Sequence, residues 1–302
     1  MDSIKIETNF PAEGYAVTHI GGRKENQDSC YYLNTPFGVV ITVCDGMGGM
    51  NGGKKASSLA VTKILNTFKE AQEDSDIKEI IEKAIKAAND DILAFAEDNP
   101  EFTGMGTTAT VAVINDDSAI LAHVGDSRIY QLRGKKKVFR TFDHSMVFDL
   151  VRRKVITEEQ ARLSEQSNVI TRALGAKPSS ELVVDIEERP YKKGDRFILC
   201  TDGFWGMFPE NEFLGRVCRK RNLSLSDHIL QVATEIDDAG NAKGGGHDNM
   251  TAAFVDMSRN STRKERLSMR YKVVIAAVAL IAVIIVLAFA GYYCKDLIHL
   301  NK

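Results

Sequence analysis

The sequence predicts an α+β domain followed by a single membrane-spanning helix. Three observations carry this: short apolar runs that stop at an acid or a glycine, two stretches of helical period set between such runs, and one long charge-free segment near the C-terminus. The runs Gly38–Cys44 before Asp45, Ala119–Val124 before Gly125-Asp126, and 196–201 before Asp202 read as strands with carboxylates at their C-terminal tips. Residues 54–72 place Ala56, Leu59, Ala60, Ile64, Leu65 and Phe68 on one side of a helix. A second helix is expected over 76–97, opened by Asp76 with Glu79 three residues on and closed before Asn99-Pro100. Strands before and after this pair favour α+β over strict βαβ alternation. Residues 143–191 are the least regular, a lid or an inserted subdomain.

From 273 to 294 the chain has no charge and is dominated by Val, Ile, Ala and Leu, long enough to cross a bilayer as a helix. Arg259, Arg263, Lys264, Arg266, Arg270 and Lys272 precede it against Glu265 alone, which places the N-terminal side in the cytoplasm. The expected organisation is a catalytic domain over 1–258, a basic juxtamembrane linker over 259–272, a transmembrane helix over 273–294 and a short tail over 295–302.

Composition excludes several functions. The 302 residues are 44% hydrophobic and 26% charged, with a formal net charge of −2, so a packed core is affordable and a basic face for nucleic acid is not indicated. The cysteines at 30, 44, 200, 218 and 294 form no Cys-x-x-Cys pair, which argues against a disulfide framework or a zinc site, and Cys44 and Cys200 sit inside apolar runs, as small core residues do and catalytic thiols do not.

Chemistry concentrates at the strand tips. Asp45, Asp126 and Asp202 each sit beside a glycine after an apolar run, and Asp248 precedes the run 250–255. If the tips meet, each carboxylate pair at about 5 Å repels by about 3 kcal/mol at an effective dielectric near 20. Divalent cations remove that cost, and an all-oxygen donor set favours Mn²⁺ or Mg²⁺ over zinc. One Asp-Gly alone would be an ordinary turn; four tips make a two-metal hydrolase the working hypothesis.

The order Gly22-Arg23-Lys24-Glu25-Asn26-Gln27-Asp28, Val43-Cys44-Asp45-Gly46-Met47-Gly48-Gly49, Gly106-Thr107-Thr108 and Val124-Gly125-Asp126-Ser127-Arg128 resembles the motif series of PP2C-type (PPM) protein phosphatases, the bacterial ones above all. Asp143-His144-Ser145, 170–175, Thr201-Asp202-Gly203 and 247–251 continue it, so the resemblance covers residues 12–257. It implies two packed antiparallel sheets flanked by helices, with two Mn²⁺ or Mg²⁺ ions, and a third weaker one, at one end. By the same resemblance Asp45 bridges two metals, the Gly46 carbonyl and Asp28 serve the second, Asp202 and Asp248 the first, and Asp126 with Asp202 the third. Arg23 matches the arginine that grips the phosphoryl group, and Asn249 gives support beside a ligand.

The implied activity is hydrolysis of phosphoserine and phosphothreonine in proteins, kinases or their substrates, at the cytoplasmic face of a membrane. A phosphoprotein-binding module with weak turnover is the alternative. Three positions depart from the family's pattern: Met47 stands where animal members carry a histidine general acid, Gln27 where an acid is frequent, and Lys54 likewise, the last read as a surface change. His144 is expected to be structural, His247 to orient Asp248, and Trp205 to pack.

Overall fold

The computed structural model describes residues 1–49, 52–220 and 222–262. In chain order they form β1 (Asp2–Ile6), β2 (Ala12–His19), β3 (Ser29–Thr35), β4 (Gly38–Cys44), β5 (Gly46–Met47), α1 (Gly52–Glu70), α2 (Ile77–Asp98), β6 (Gly106–Thr107), β7 (Ala109–Ile114), β8 (Ala119–Val124), β9 (Arg128–Arg133) and β10 (Lys136–Arg140). There follow α3 (Met146–Arg152), α4 (Glu158–Arg162), β11 (Asp185–Arg189), β12 (Asp195–Cys200), α5 (Asp202–Trp205), α6 (Glu210–Val217), α7 (Leu225–Ala242) and β13 (Met250–Met257). A six-stranded sheet runs β1-β2-β13-β12-β9-β10, a five-stranded one β11-β8-β7-β4-β3, and every pairing is antiparallel.

The strand sequences explain the layering. Strand β4 is buried along its whole length because its two faces meet different partners. Val39, Ile41 and Val43 belong to the core between the sheets, whereas Val40 and Cys44 join the core beneath α1 and α2. Strand β12 divides likewise, Phe197 and Leu199 facing the other sheet and Ile198 and Cys200 facing α6 and α7. Period-two alternation between two apolar surroundings produces helix, sheet, sheet and helix layers. The helices are anchored as their sequences indicate. Ala56, Ala60, Ile64 and Phe68 form the buried stripe of α1, and the Asp76 carboxylate accepts from the Lys78 and Glu79 amides to cap α2.

The irregular stretch is a small subdomain with its own core of Val147, Phe148 and Ala161, closed by Phe142, Val151 and Ile156. Ser258, Ser261 and Thr262, around the start of the basic linker, hydrogen-bond through their amides to Pro11, Tyr191 and Asp116 of the domain. The segment expected to span a membrane, 273–294, lies outside the described residues. Among those described, no helix is long and apolar enough to cross a bilayer.

Candidate functional site

Both sheets deliver acids to one end of the sandwich. Asp45 follows β4, Asp126 follows β8, Asp202 opens α5 after β12, Asp248 precedes β13, and Asp28 precedes β3. The five act on one another. Burial, then Asp28, Asp202, Asp126 and Asp248, hold the Asp45 carboxyl well above the usual range. Burial and Asp202 do the same to Asp126. Asp202 is raised by burial and then by Asp248. Burial lifts Asp28 to about 7 despite hydrogen bonds from Thr251 and Thr201.

The cluster is short of positive charge. Arg23 Nη2 reaches Asp248 Oδ2 at 2.7 Å, and the Lys54 ammonium goes to the Asp28 main-chain carbonyl at 2.9 Å. Asp28 Oδ1 and Asp202 Oδ1 are buried without a hydrogen-bond partner. Orphaned carboxylate oxygens among mutually repelling acids are what a divalent cation would satisfy, and the donor set, all oxygen, fits Mn²⁺ or Mg²⁺.

Neighbouring residues shape the loops that carry these acids. A Cβ on Gly53 would stand 2.5 Å from the Gly46 carbonyl oxygen, so glycine there leaves that oxygen its space. Asn249 holds the opposite wall: its Oδ1 accepts from the Gln27 amide at 2.8 Å, and its Nδ2 donates to the Ile20 and Glu25 carbonyls at 2.7 and 2.9 Å. One buried side chain thus ties the loop bearing Arg23 and Asp28 to the strand that follows Asp248. The chain reaches Asp248 from α7 through Gly244, Gly245 and Gly246, all at positive φ, a run other residues adopt only with strain.

Two expectations need correction. His247 does not orient Asp248: its Nε2 meets Asp237 Oδ1 at 2.8 Å, pinning the glycine loop to α7. Lys54 is half-buried and bonded beside Asp28, because the N-terminal turn of α1 packs against the loop preceding β3.

A second polar unit was less legible in the sequence. Asp143 grips Arg128 through Nε and Nη2 at 2.8 and 2.6 Å, both residues buried. The Arg128 guanidinium lies 3.2 Å from the centre of the Trp205 ring, whose Nε1 donates to the Asp126 carbonyl at 3.2 Å. Trp205 is therefore more than packing. Breaking the buried Arg128–Asp143 pair from one side would cost about 3–5 kcal/mol.

His123, His144 and Asp185 lie close enough to suggest a cation site. Their hydrogen bonds say otherwise. His144 Nδ1 accepts from the Gly125 amide at 3.1 Å, so the neutral ring carries its proton on Nε2, which faces Asp185 Oδ2 at 3.1 Å. A metal at Nε2 would need the proton on Nδ1, against a donor, and Arg172 Nη1 already stands 3.3 Å from both His144 and Asp185. Burial first, then His123, pushes His144 down to about 4, opposed by the Asp185 hydrogen bond. An unfolded histidine titrates near pH 6.5, so the folded ring lends stability above that value and loses it as pH falls toward 4. Unfolding free energies from urea titrations across that range should drop by about 3 kcal/mol more for the wild type than for His144→Asn.

Above the acids lies a groove of about 330 Å³ bordered by Arg23, Asp126, Asp202, Trp205 and Asp248, with Phe148, Arg162 and Asn168 of the small subdomain along its rim.

A family model described as protein phosphatase 2C matches residues 17–239. The serine/threonine phosphatase stp of Listeria monocytogenes is 34% identical over 250 residues, 82% of this chain and 91% of that protein. Protein phosphatase PhpP of Streptococcus pneumoniae is 34% identical over 248 residues, 80% of this chain and 96% of its own length. Among solved structures, Staphylococcus aureus Stp1 superimposes with a TM-score of 0.74 at 26% identity, covering 85% of this chain and 99% of that one. The catalytic domain of PstP in complex with two manganese ions gives 0.66 at 28% identity, over 82% and 98%. The chain belongs to the protein phosphatase 2C family and is a serine/threonine protein phosphatase.

Proposed function

We propose that this chain hydrolyses phosphoserine and phosphothreonine in proteins at a binuclear Mn²⁺ or Mg²⁺ centre, and that it opposes protein kinases at a membrane surface. The observation that carries the reaction is the convergence of five acids with orphaned carboxylate oxygens and too little positive charge to balance them. Asp45 would bridge the two cations, Asp202 and Asp248 would hold one, and the Gly46 carbonyl with Asp28 would serve the other. Asp126 and Asp202 would take a third, weaker ion. Bound there, the cations supply Lewis acidity toward phosphoryl oxygens and toward water.

The chain's own residues do the rest. Arg23 is half-exposed at the groove, and its fork suits two parallel hydrogen bonds to a phosphoryl group once it turns from Asp248. Asn249 keeps the Arg23 loop in reach of Asp248. Met47 has no proton to give, so the leaving-group proton comes from elsewhere than this side chain. Arg23→Ala should raise KM about tenfold to a hundredfold, the loss of charge-assisted hydrogen bonds, while Arg23→Lys recovers part. Release of phosphate from phosphoserine and phosphothreonine peptides tests the reading, with a phosphotyrosine peptide as the contrast. Equal turnover on all three would contradict the substrate class.

The membrane reading rests on the sequence: the uncharged run 273–294 and the basic residues before it place domain 1–258 on the cytoplasmic face behind linker 259–272. After carbonate extraction the full chain should stay with the membranes and a chain ending at 272 should not. Release of both would contradict it.

A further inference from the structure

We propose that His144 is a positioning residue for Asp126, acting through the main chain of Gly125, with its neighbour Asp143 holding the far side of the same turn. The inference rests on the phosphatase reading for its significance, but its geometry stands apart from it. Every residue around the acid is tethered. Gly125 is bonded to His144 twice, its amide donating to Nδ1 at 3.1 Å and its carbonyl accepting from the His144 amide at 3.0 Å. Asp126 is held at its carbonyl by Trp205 Nε1. Ser127 Oγ lies 2.7 Å from Thr108 Oγ1, which also accepts from the Asp45 amide at 2.9 Å. Arg128 is forked onto Asp143.

Two consecutive side chains, Asp143 and His144, therefore grip the residues two after and one before Asp126. The Asp126 carboxyl itself is left for the acid cluster. The grip is backed in turn, since the Thr171 amide donates to the His144 carbonyl at 2.8 Å, and Asp185 with Arg172 keeps the Nε2 side of the ring occupied. Parallel stacking on His123, with ring centres 4.4 Å apart, fixes the plane of the ring and so the direction of its Nδ1 lone pair. Neither Asp143 nor His144 borders the groove above the acids. The effect of the arrangement is to deliver one carboxylate at one place, where a cation shared with Asp202 would be felt first.

The chemistry of the ring separates this role from plain packing. Asparagine presents an oxygen where His144 has Nδ1 and can keep the Gly125 bond; glutamine presents its polar atoms nearer Nε2 and cannot. Mn²⁺ binding to the full chain, followed by the electron paramagnetic signal of free Mn²⁺ during titration, reads the difference without turnover. His144→Gln should weaken the weakest resolved site about fivefold or more, the loss of one hydrogen bond, with His144→Asn staying within about twofold of wild type. Arg128→Lys leaves His144 in place, removes the fork to Asp143, and should show the weakening too. Urea midpoints accompany each titration. Wild-type binding in both His144→Gln and Arg128→Lys overturns the assignment, as does equal weakening of His144→Asn and His144→Gln at matched midpoints. Phosphate release by the same wild-type preparation reports on the phosphatase reading separately, so an inert wild type counts against that reading and leaves the binding comparison intact.

Discussion

Replacing Asp45 with asparagine should abolish turnover while making the metal-free protein more stable. The side chain keeps its shape and loses its charge. In the folded chain that charge faces Asp28, Asp202, Asp126 and Asp248 from within the protein, and its carboxyl is driven upward by burial first and by those neighbours next. Removing one member of such a set relieves repulsions of about 3 kcal/mol per close pair at an effective dielectric near 20. Part of that is already relieved in the metal-free protein by proton uptake, so a gain of about 1–3 kcal/mol is expected, or a melting temperature several degrees higher. Catalysis moves the other way. A carboxylate that would bridge two cations cannot be replaced by a neutral amide, and losing several kcal/mol of transition-state stabilisation lowers kcat/KM by about a thousandfold or more. Thermal melting in chelator and phosphate release in Mn²⁺ measure the two effects on one protein. A variant that is both inactive and less stable than wild type without metal would mean that Asp45 serves the fold.

The second large effect is a change of slope in stability against pH. An unfolded aspartate titrates near 3.9, whereas folded Asp28 sits at about 7 and Asp45 and Asp126 are also raised. A carboxyl whose folded pKa is raised contributes stability that is present below about pH 4 and is lost as pH rises through its folded value. Chelated protein should therefore lose stability from about pH 4 to 7 by way of these groups. Mn²⁺ reverses the sign, because it competes with the protons and binds only the folded cluster. At a hundred times its dissociation constant it adds about 2.7 kcal/mol, or about 5–10 °C in melting temperature for a domain of this size. Melting curves at several pH values, with chelator and with Mn²⁺, give both slopes.

Much of this site was legible in the sequence because strands announce where they end. The runs before Asp45, Asp126 and Asp202 stop at an acid, and the structure puts all three acids at one end of the sandwich, together with Asp28 and Asp248. The layers were expected only from the family resemblance, and the structure supplies their physical reason: β4 and residues 197–200 of β12 are apolar on both faces, as strands between a helix layer and a second sheet must be. What stayed hidden was the wiring between loops. Asp143 and Arg128 are 15 residues apart, and no local pattern indicates that one forks onto the other. His247 stands next to Asp248 in sequence and yet serves Asp237, since adjacent side chains leave the backbone in different directions. Lys54 was read as a surface change, whereas the first turn of α1 faces the acid-bearing loop. The one available signal was the Asp143-His144-Ser145 motif itself, three polar residues that the structure buries together.

Whether the five converging acids form a cation centre for phosphoester hydrolysis is decided by one titration. The full chain is stripped with chelator, and phosphate release from a phosphothreonine peptide is followed as Mn²⁺ is restored, beside Asp45→Asn. No release is expected in chelator, saturable recovery with Mn²⁺, and none from the variant at any concentration. Release that persists in chelator, or a folded Mn²⁺-bound wild type that never turns over, would contradict a hydrolytic cation centre, and the latter result would leave a phosphoprotein-binding module as the function of this fold.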